Sequence, residues 1–526
     1  MSLQVARWPD GQLRQCMQPP MIIAHDLGTT GNKASLHRDD GSQVQSVTIS
    51  YPADFRAGGI AEQHPLTWWE AVGEATRSLL EQSGTDRSEV SVVGLSGQMM
   101  GAVFLDAQLE PVRPAMIWAD QRSVPQAAEL QRRVGMEAGY QELGHRIDPT
   151  YSLTKVMWLR DQEPAEFRRT RHVCQAKDYV VARMTGVLVT DPSDASSTNA
   201  YAQGRGDWSP LLLQAAELDP ALFPPIVAST TVVGALTAAA AEHLGLLQGT
   251  SVVIGGGDGP MAATGAGVVG AQDPPYVSMG SSSWISCAAT APLHDVKMRT
   301  MTFDHVVPGH YVPTATMQAG GASLSWVMEL FGGTDEVYTR LLAQAAQVTA
   351  ADQDLYFLPH LLGERSPYWN SAAAGGFVGL RRHHGPAHLV RAVLEGVAFN
   401  LRTCQQAFAE NGIAAQELDV IGGGAQSDTW MQICADIWQV PVRRRSIVAD
   451  ANSLGAAITA AVGVGLVGGF DAARSLSHLT ATFQPDAGRS TVVAAHHQSF
   501  LDAYRRLEPW FEGEHQEPTQ QDTDRS

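Results

Sequence analysis

Two short stretches carry the residues best suited to chemistry. In the first, Asp26-Leu27-Gly28-Thr29-Thr30-Gly31-Asn32-Lys33, a carboxylate, two hydroxyls and a lysine surround a glycine turn between the apolar runs 21–24 and 34–36. Backbone N–H groups and hydroxyls of such a turn can cradle a phosphate, and Asp26 stands where it can hold a hydrated Mg²⁺. An ordinary hairpin with a polar tip would have the same local sequence. In the second, Gly255-Gly256-Gly257-Asp258-Gly259-Pro260 follows the apolar run 251–254. Three glycines let a ligand approach the backbone closely. A carboxylate at a strand end, near a helix start, can take a proton from a hydroxyl nucleophile. Capping that helix is the alternative role for Asp258.

Weaker candidates fit a small polar ligand. Ser96-Gly97-Gln98-Met99-Met100-Gly101 lies between two expected strands, and Ile117-Trp118-Ala119-Asp120-Gln121-Arg122 joins an aromatic to a carboxylate, an amide and a cation. Trp118 can stack on a sugar while Asp120 and Gln121 bind hydroxyls, although a tryptophan is more often core. Phe357-Leu358-Pro359-His360 runs on to Gly363-Glu364-Arg365-Ser366-Pro367, a pattern that usually marks a surface loop. Gly265-x-Gly267-x-x-Gly270 does not follow a strand, so it is not a dinucleotide fingerprint and more naturally ends the helix after Asp258. The chain has no Gly-x-x-x-x-Gly-Lys-Ser/Thr loop and no Asp-Phe-Gly, and His145-Arg146-Ile147-Asp148 is not a protein-kinase catalytic loop.

These segments need a scaffold. Strands are expected at 21–25, 33–36, 44–51, 90–95 and 102–105, with an amphipathic helix at 67–82 that aligns Trp68, Val72, Ala75 and Leu79. The second half restarts the pattern, with Pro275-Tyr276-Val277-Ser278-Met279 running through Gly280-Ser281-Ser282-Ser283 into Trp284-Ile285-Ser286-Cys287. A long helix is expected at 386–411, opened by Pro386 and closed by Gly412. A strand at 418–421 enters Gly422-Gly423-Gly424-Ala425, and a helix follows at 428–438. The fold class is therefore α/β, and the repeated strand–turn–strand unit points to two related domains facing a shared cleft.

The 526 residues, 44% hydrophobic and 17% charged, fit a globular chain of more than one domain. A net charge of −18 argues against a generic nucleic-acid binder, and Arg443-Arg444-Arg445 reads as a solvated strand end. Five scattered cysteines without a Cys-x-x-Cys pair indicate neither zinc nor a disulfide framework, which fits a reducing cytoplasm. Residues 1–20 lack the apolar core of a signal peptide and read as a leader. Residues 507–526 read as a polar, disordered tail. Residues 451–470 carry no charge, but half of them are Gly or Ala, so a buried, closely packed helix is expected rather than a membrane span.

Taken in order, segments 26–33, 96–101, 118–122, 155–159, 177–179, 255–259, 278–282, 357–367, 422–427 and 452–457 resemble the FGGY carbohydrate kinases, most nearly the xylulokinases. The resemblance implies an actin/hexokinase-like (ribonuclease H-like) two-domain fold with a central cleft. It implies a sugar-binding domain at 21–265, a nucleotide-binding domain at 266–506, and transfer of a phosphoryl group from ATP to a sugar hydroxyl with Mg²⁺. By motif, Asp258 is the general base and Asp26 the residue near Mg²⁺, through water. Thr29, Thr30, Lys33, Gly280, Ser281 and Ser282 cradle phosphates. Gly423, Gly424 and Ala425 lie against adenosine with Asn452 nearby. Met99, Met100, Trp118 and Asp120 line the sugar pocket.

One position departs from the resemblance. Xylulokinases commonly read Gly-Gln-Met-His-Gly where this chain has Met100, and a thioether cannot donate a hydrogen bond. A pentulose, above all D-xylulose, is the expected substrate. Another ketose or a polyol (ribulose, erythritol, glycerol) is the alternative enzyme reading. A non-catalytic sugar sensor and a chaperone-type ATPase are the readings from other classes. A cytoplasmic enzyme of xylose metabolism is expected, with a homodimer left open and neither nucleic acid nor membrane as partner.

Overall fold

The computed structural model describes residues 20–446 and 450–513. Residues 1–19 of the expected leader and 514–526 of the expected tail lie outside those residues, and the tail's first five residues, 507–511, instead finish the helix Ser490–Phe511.

Two sheets organise the chain. In the first, strands Gln43–Ser50, Gly31–His37 and Met21–Leu27 form an antiparallel meander, and Met21–Leu27 continues in parallel to Val90–Gly97 and then Ser251–Gly257. Val232–Ala235 closes that edge antiparallel. The second sheet repeats the plan. Tyr311–Met317, Ser283–Ser286 and Tyr276–Met279 form the meander, and Tyr276–Met279 pairs in parallel with Leu418–Ile421, which pairs in parallel with Val442–Arg445. Met301–Asp304 and Leu479–Phe483 are added at the two edges. Three antiparallel strands followed by two parallel ones, twice over, is the actin/hexokinase-like, ribonuclease H-like architecture that the resemblance implies.

The central strands are buried and apolar because helices cover them. Helix Pro65–Ser83 buries Trp68, Val72, Ala75 and Leu79, as its periodicity predicts. The helix Pro386–Glu410 is the core of the second half and ends before Gly412, whose φ of 87° needs no Cβ. The uncharged stretch after Asp450 is the helix Ala451–Gly463, and it is buried. It crosses the helix Asp258–Gly265 so closely that a Cβ on Gly455 would lie 2.1 Å from the Met261 carbonyl oxygen. This helix also packs Ala456 and Ala460 against Ile22, Ala24 and Val92 of the first sheet. A segment from the second half thus belongs to the core of the first.

Arg443, Arg444 and Arg445 are not a solvated end. They lie half-buried in a sheet strand, and the buried Asp419 pairs with Arg443 and Arg445. Among the described residues, no helix is long and apolar enough to cross a membrane.

Candidate active site

Parallel strands put the ends of Met21–Leu27, Val90–Gly97 and Ser251–Gly257 on one side of the first sheet. The ends of Tyr276–Met279 and Leu418–Ile421 share one side of the second. Between the halves lies a cavity of about 590 Å³. Thr29, Met99, Met100, Trp118 and Asp258 line it from the first half, and Ser281, Ser282, Gln318, Arg365 and Asn452 from the second.

Asp258 is the first residue of its helix, and Gly257 rather than Asp258 is the cap. Its Oδ1 accepts from the Gly259 N–H at 2.7 Å. Burial, with the like charge of Asp26 added, pushes its carboxyl up to about 7. A carboxylate with that value takes up a proton near neutral pH, as a general base must. The strand before it is anchored. Gly257 N–H donates to Ser193 Oγ at 2.9 Å, and Ser193 Oγ donates to Asp191 Oδ2 at 2.6 Å. Lys177 Nζ, fully buried, meets Asp191 at 2.9 Å, Asp178 at 2.8 Å and Asp194 at 3.1 Å. Burial opposes the Lys177 charge, but these carboxylates hold the ammonium well above the usual lysine range.

Asp26 accepts from Ser96 Oγ at 2.8 Å and from Asn452 Nδ2 at 3.3 Å. Burial raises its pKa despite these bonds and Lys33. Asp26 does not itself line the cavity, but its charge reaches Asp258, and the two acids leave negative charge for a cation to neutralise. Among the described residues, no cluster of three or more acidic, histidine or cysteine side chains could hold a metal alone. The donor set fits Mg²⁺, which keeps several waters and needs one or two carboxylates together with substrate phosphates.

The Gly28–Gly31 turn and the Trp118 wall of the cavity are tied together. Trp118 Nε1 donates to Thr29 Oγ1 at 2.9 Å. Gln98 Nε2 donates to Gln63 Oε1 at 2.8 Å, and Gln63 Nε2 donates to the Thr29 carbonyl at 2.7 Å. Met99, Met100, Met301, Phe303 and Tyr151 form the apolar floor, with Trp118 and Trp369 packed against it. Met100 has a φ of 67°, a left-handed conformation that costs a non-glycine residue about 1–2 kcal/mol.

Several expected positions are corrected. Asp120 is wholly buried and does not line the cavity. Its Oδ2 accepts from Ala61 N–H at 2.9 Å and pairs with Arg122 Nη2 at 2.8 Å, so it shapes the 117–122 turn from behind while its neighbour Gln121 reaches the cavity. Lys33 pairs with Asp450 at the start of the helix Ala451–Gly463 instead of lining the cavity. Asn452 lines the cavity and donates to Asp26, whereas Gly423, Gly424 and Ala425 are not among the lining residues. Thr30 is exposed at the hairpin tip, and its carbonyl accepts from Tyr51 N–H at 3.1 Å. Gly280 spends its carbonyl on Gly321 N–H at 2.8 Å, while Ser281 and Ser282 face the cavity. Gly423, Gly424 and Ala425 form a tight turn beside Met279, outside this cavity but one strand from the serine hairpin.

Gln318, Met301 and Phe303 line the cavity without belonging to any candidate segment of the sequence, whereas Arg365 belongs to the weak candidate loop 357–367. Arg365 lies in a loop whose Glu364 is buried and accepts from Asn400 Nδ2 at 3.1 Å and from Gln318 N–H at 2.9 Å, with His360 Nδ1 at 2.9 Å. That anchoring sends Arg365 inward, 5.4 Å above the Trp118 ring. The run Gly363-Glu364-Arg365 was the available signal.

Residues 21–265 match the sequence profile of the N-terminal domain of the FGGY family of carbohydrate kinases, and residues 275–464 that of its C-terminal domain. The chain belongs to the FGGY family. It is 33% identical to a xylulose kinase of Escherichia coli (strain K12) over 93% of this chain and 99% of that protein. Its fold matches the crystal structure of a xylulose kinase from Rhodospirillum rubrum with a TM-score of 0.86 and 30% identity, covering 94% of this chain and 100% of the other. A gluconate kinase from Lactobacillus acidophilus matches with a TM-score of 0.88 and 25% identity, covering 94% and 99%. The protein is a xylulokinase-like carbohydrate kinase. The match is to carbohydrate kinases over both domains, which sets the chaperone reading aside.

Proposed function

We propose that the chain transfers the γ-phosphoryl group of ATP to a hydroxyl of a pentulose, D-xylulose first among them. The observation that carries this reading is Asp258, a base titrating near neutrality at the wall of a cavity whose opposite wall is the Ser281–Ser282 turn. A sugar hydroxyl on the apolar floor hands its proton to Asp258. Its oxygen bonds to the γ-phosphorus as the bond to the β-phosphate bridging oxygen breaks, and ADP leaves. Thr29 and Ser281–Ser282 hold the phosphates from opposite halves, and Gly423–Ala425 lie on the adenosine side. Asp26, with Asn452 and Ser96 orienting it, is the residue to hold Mg²⁺ through water, and Mg²⁺ would neutralise phosphate charge. Phosphoryl transfer relies on positioning and charge neutralisation more than on covalent help, which suits a site with one base and many orienting groups.

A second reading changes the sugar. Arg365 lines the cavity, and none of the ion pairs among the described residues gives it a carboxylate. A guanidinium there fits a sugar acid, and the gluconate kinase likeness keeps that class in view. Coupled ADP release over a panel of D-xylulose, ribulose, gluconate, erythritol and glycerol decides between them. The highest kcat/KM for xylulose supports the proposal, and a gluconate preference of tenfold or more replaces it with the second reading.

A further inference from the structure

Lys155 has no part in the chemistry above, yet it is fully buried in the helix Ser152–Gln162 beside the sugar floor. Its Nζ donates to the Met100 carbonyl at 2.8 Å and to the Thr150 carbonyl. The ammonium is spent on backbone carbonyls, and no ion pair to it is found among the described residues. Burying an ammonium without a carboxylate is costly, so its position demands a structural reason.

The reason lies in the turn it grips. Met100 is held left-handed, a conformation that persists only where the surroundings impose it. Three groups impose it from one side. Lys155 takes the Met100 carbonyl, Ser197 Oγ accepts from the Met100 N–H at 3.2 Å, and Ser152 Oγ donates to the Gly101 carbonyl at 2.5 Å. The turn in turn places Met99 over the segment that bears the base. A Cβ on Gly257 would meet Met99 Cγ at 2.6 Å, and one on Gly259 would meet Met99 Sδ at 3.7 Å. The height of the apolar floor above Asp258 is thus set by the Met99–Met100 turn.

We infer that Lys155 is a positioning residue for sugar binding, which fixes the left-handed Met100 turn by hydrogen bonding its carbonyl and so sets the spacing between the apolar floor and Asp258. Burial lowers the amine to about 7, although the charges of Asp120 and Asp148 favour the ammonium without pairing with it. The inference rests on the sugar-kinase reading for what the pocket holds, though not for the geometry of the turn.

Two measurements on Lys155→Met test it. With whichever panel sugar the wild type turns over best, KM for the sugar should rise 10–100-fold, while kcat and KM for MgATP stay within about threefold. Ser152→Ala, which removes the neighbouring clamp, should raise the sugar KM less, by 2–10-fold. A purely structural lysine would lower the apparent kcat through loss of folded enzyme and leave both KM values unchanged, and that pattern, or any unchanged sugar KM, overturns the inference. A crystal structure of Lys155→Met should show Met100 leaving the left-handed region, and a turn retained as in the wild type overturns the inference whatever sugar the enzyme uses. Absence of turnover with every sugar would count against the proposed reaction, and the crystal comparison would still decide the role of Lys155.

Discussion

In the first sheet the strand Val90–Gly97 runs out into Gln98-Met99-Met100, whereas at the matching place in the second sheet Leu418–Ile421 runs out into Gly422-Gly423-Gly424-Ala425. The next parallel strands differ as well. Ser251–Gly257 delivers Asp258 to the cleft, and Val442–Arg445 delivers arginines that the buried Asp419 holds inside the sheet. One topology has been fitted with two chemistries. The first half offers two carboxylates and an apolar floor, and the second offers hydroxyls and bare backbone. The difference teaches that the repeated architecture only fixes where strand ends point. What those ends carry decides which substrate each half addresses.

Asp258→Asn is the largest test of this division. The amide keeps the shape and loses the base, so kcat should fall about 10²–10⁴-fold, with sugar binding retained. Near-wild-type turnover in a coupled ADP assay would break the assignment of chemistry to the first half. Lys177→Met strips the single cation from three buried carboxylates, and urea unfolding should show a loss of roughly 3–5 kcal/mol. A change below 1 kcal/mol would mean that the Asp191–Ser193–Gly257 anchor does not depend on that charge.

The pH profile comes next. A base is competent when deprotonated, so with the Asp258 carboxyl at about 7 the sugar kcat/KM should rise with pH through that region and level off above it. A profile flat from pH 5 to 8 would argue against Asp258 as the titrating group. Gly422→Ala targets the second half. Gly422 has a φ of 90°, and a Cβ there would lie 2.7 Å from the Met279 carbonyl oxygen. A left-handed alanine costs about 1–3 kcal/mol, so KM for ATP should rise several-fold or more while KM for the sugar holds. Equal effects on both substrates would blur the division between halves. The smallest effect is expected of Trp118→Phe, which keeps an aromatic wall but removes the hydrogen bond to Thr29. A single bond of this kind is worth roughly 0.5–1.5 kcal/mol, a few-fold change, and it should appear in the ATP dependence although Trp118 lines the sugar side.

Much of the scaffold was written in local pattern. The helix at 428–438 is observed as Asp428–Trp438, and the long helix predicted at 386–411 as Pro386–Glu410. Both hairpins form where a glycine or serine turn separates short apolar runs. Segments whose function depends on which way a side chain faces were less legible. In Trp118-Ala119-Asp120-Gln121 the spacing is compatible with either the carboxylate or the amide reaching a ligand. Only the Arg122 and Ala61 partners, remote in packing terms from the cavity, turned Asp120 inward. Glu364-Arg365 reads as an ordinary surface pair, and it takes the burial of Glu364 against His360 and Asn400 to aim Arg365 at Trp118.

The α/β class, the duplication, the two glycine- and serine-rich hairpin turns and the placing of Asp258 behind a glycine run are legible in the chain's local pattern, because periodicity, turn chemistry and glycine placement act over a few residues. Tertiary structure alone decided that Lys33 answers Asp450, that Asn452 reaches Asp26, and that burial beside a second acid brings Asp258 to neutrality. Those outcomes depend on the helix Ala451–Gly463 crossing from one half to the core of the other, and a packing between residues more than four hundred positions apart leaves no trace in any local window of the chain.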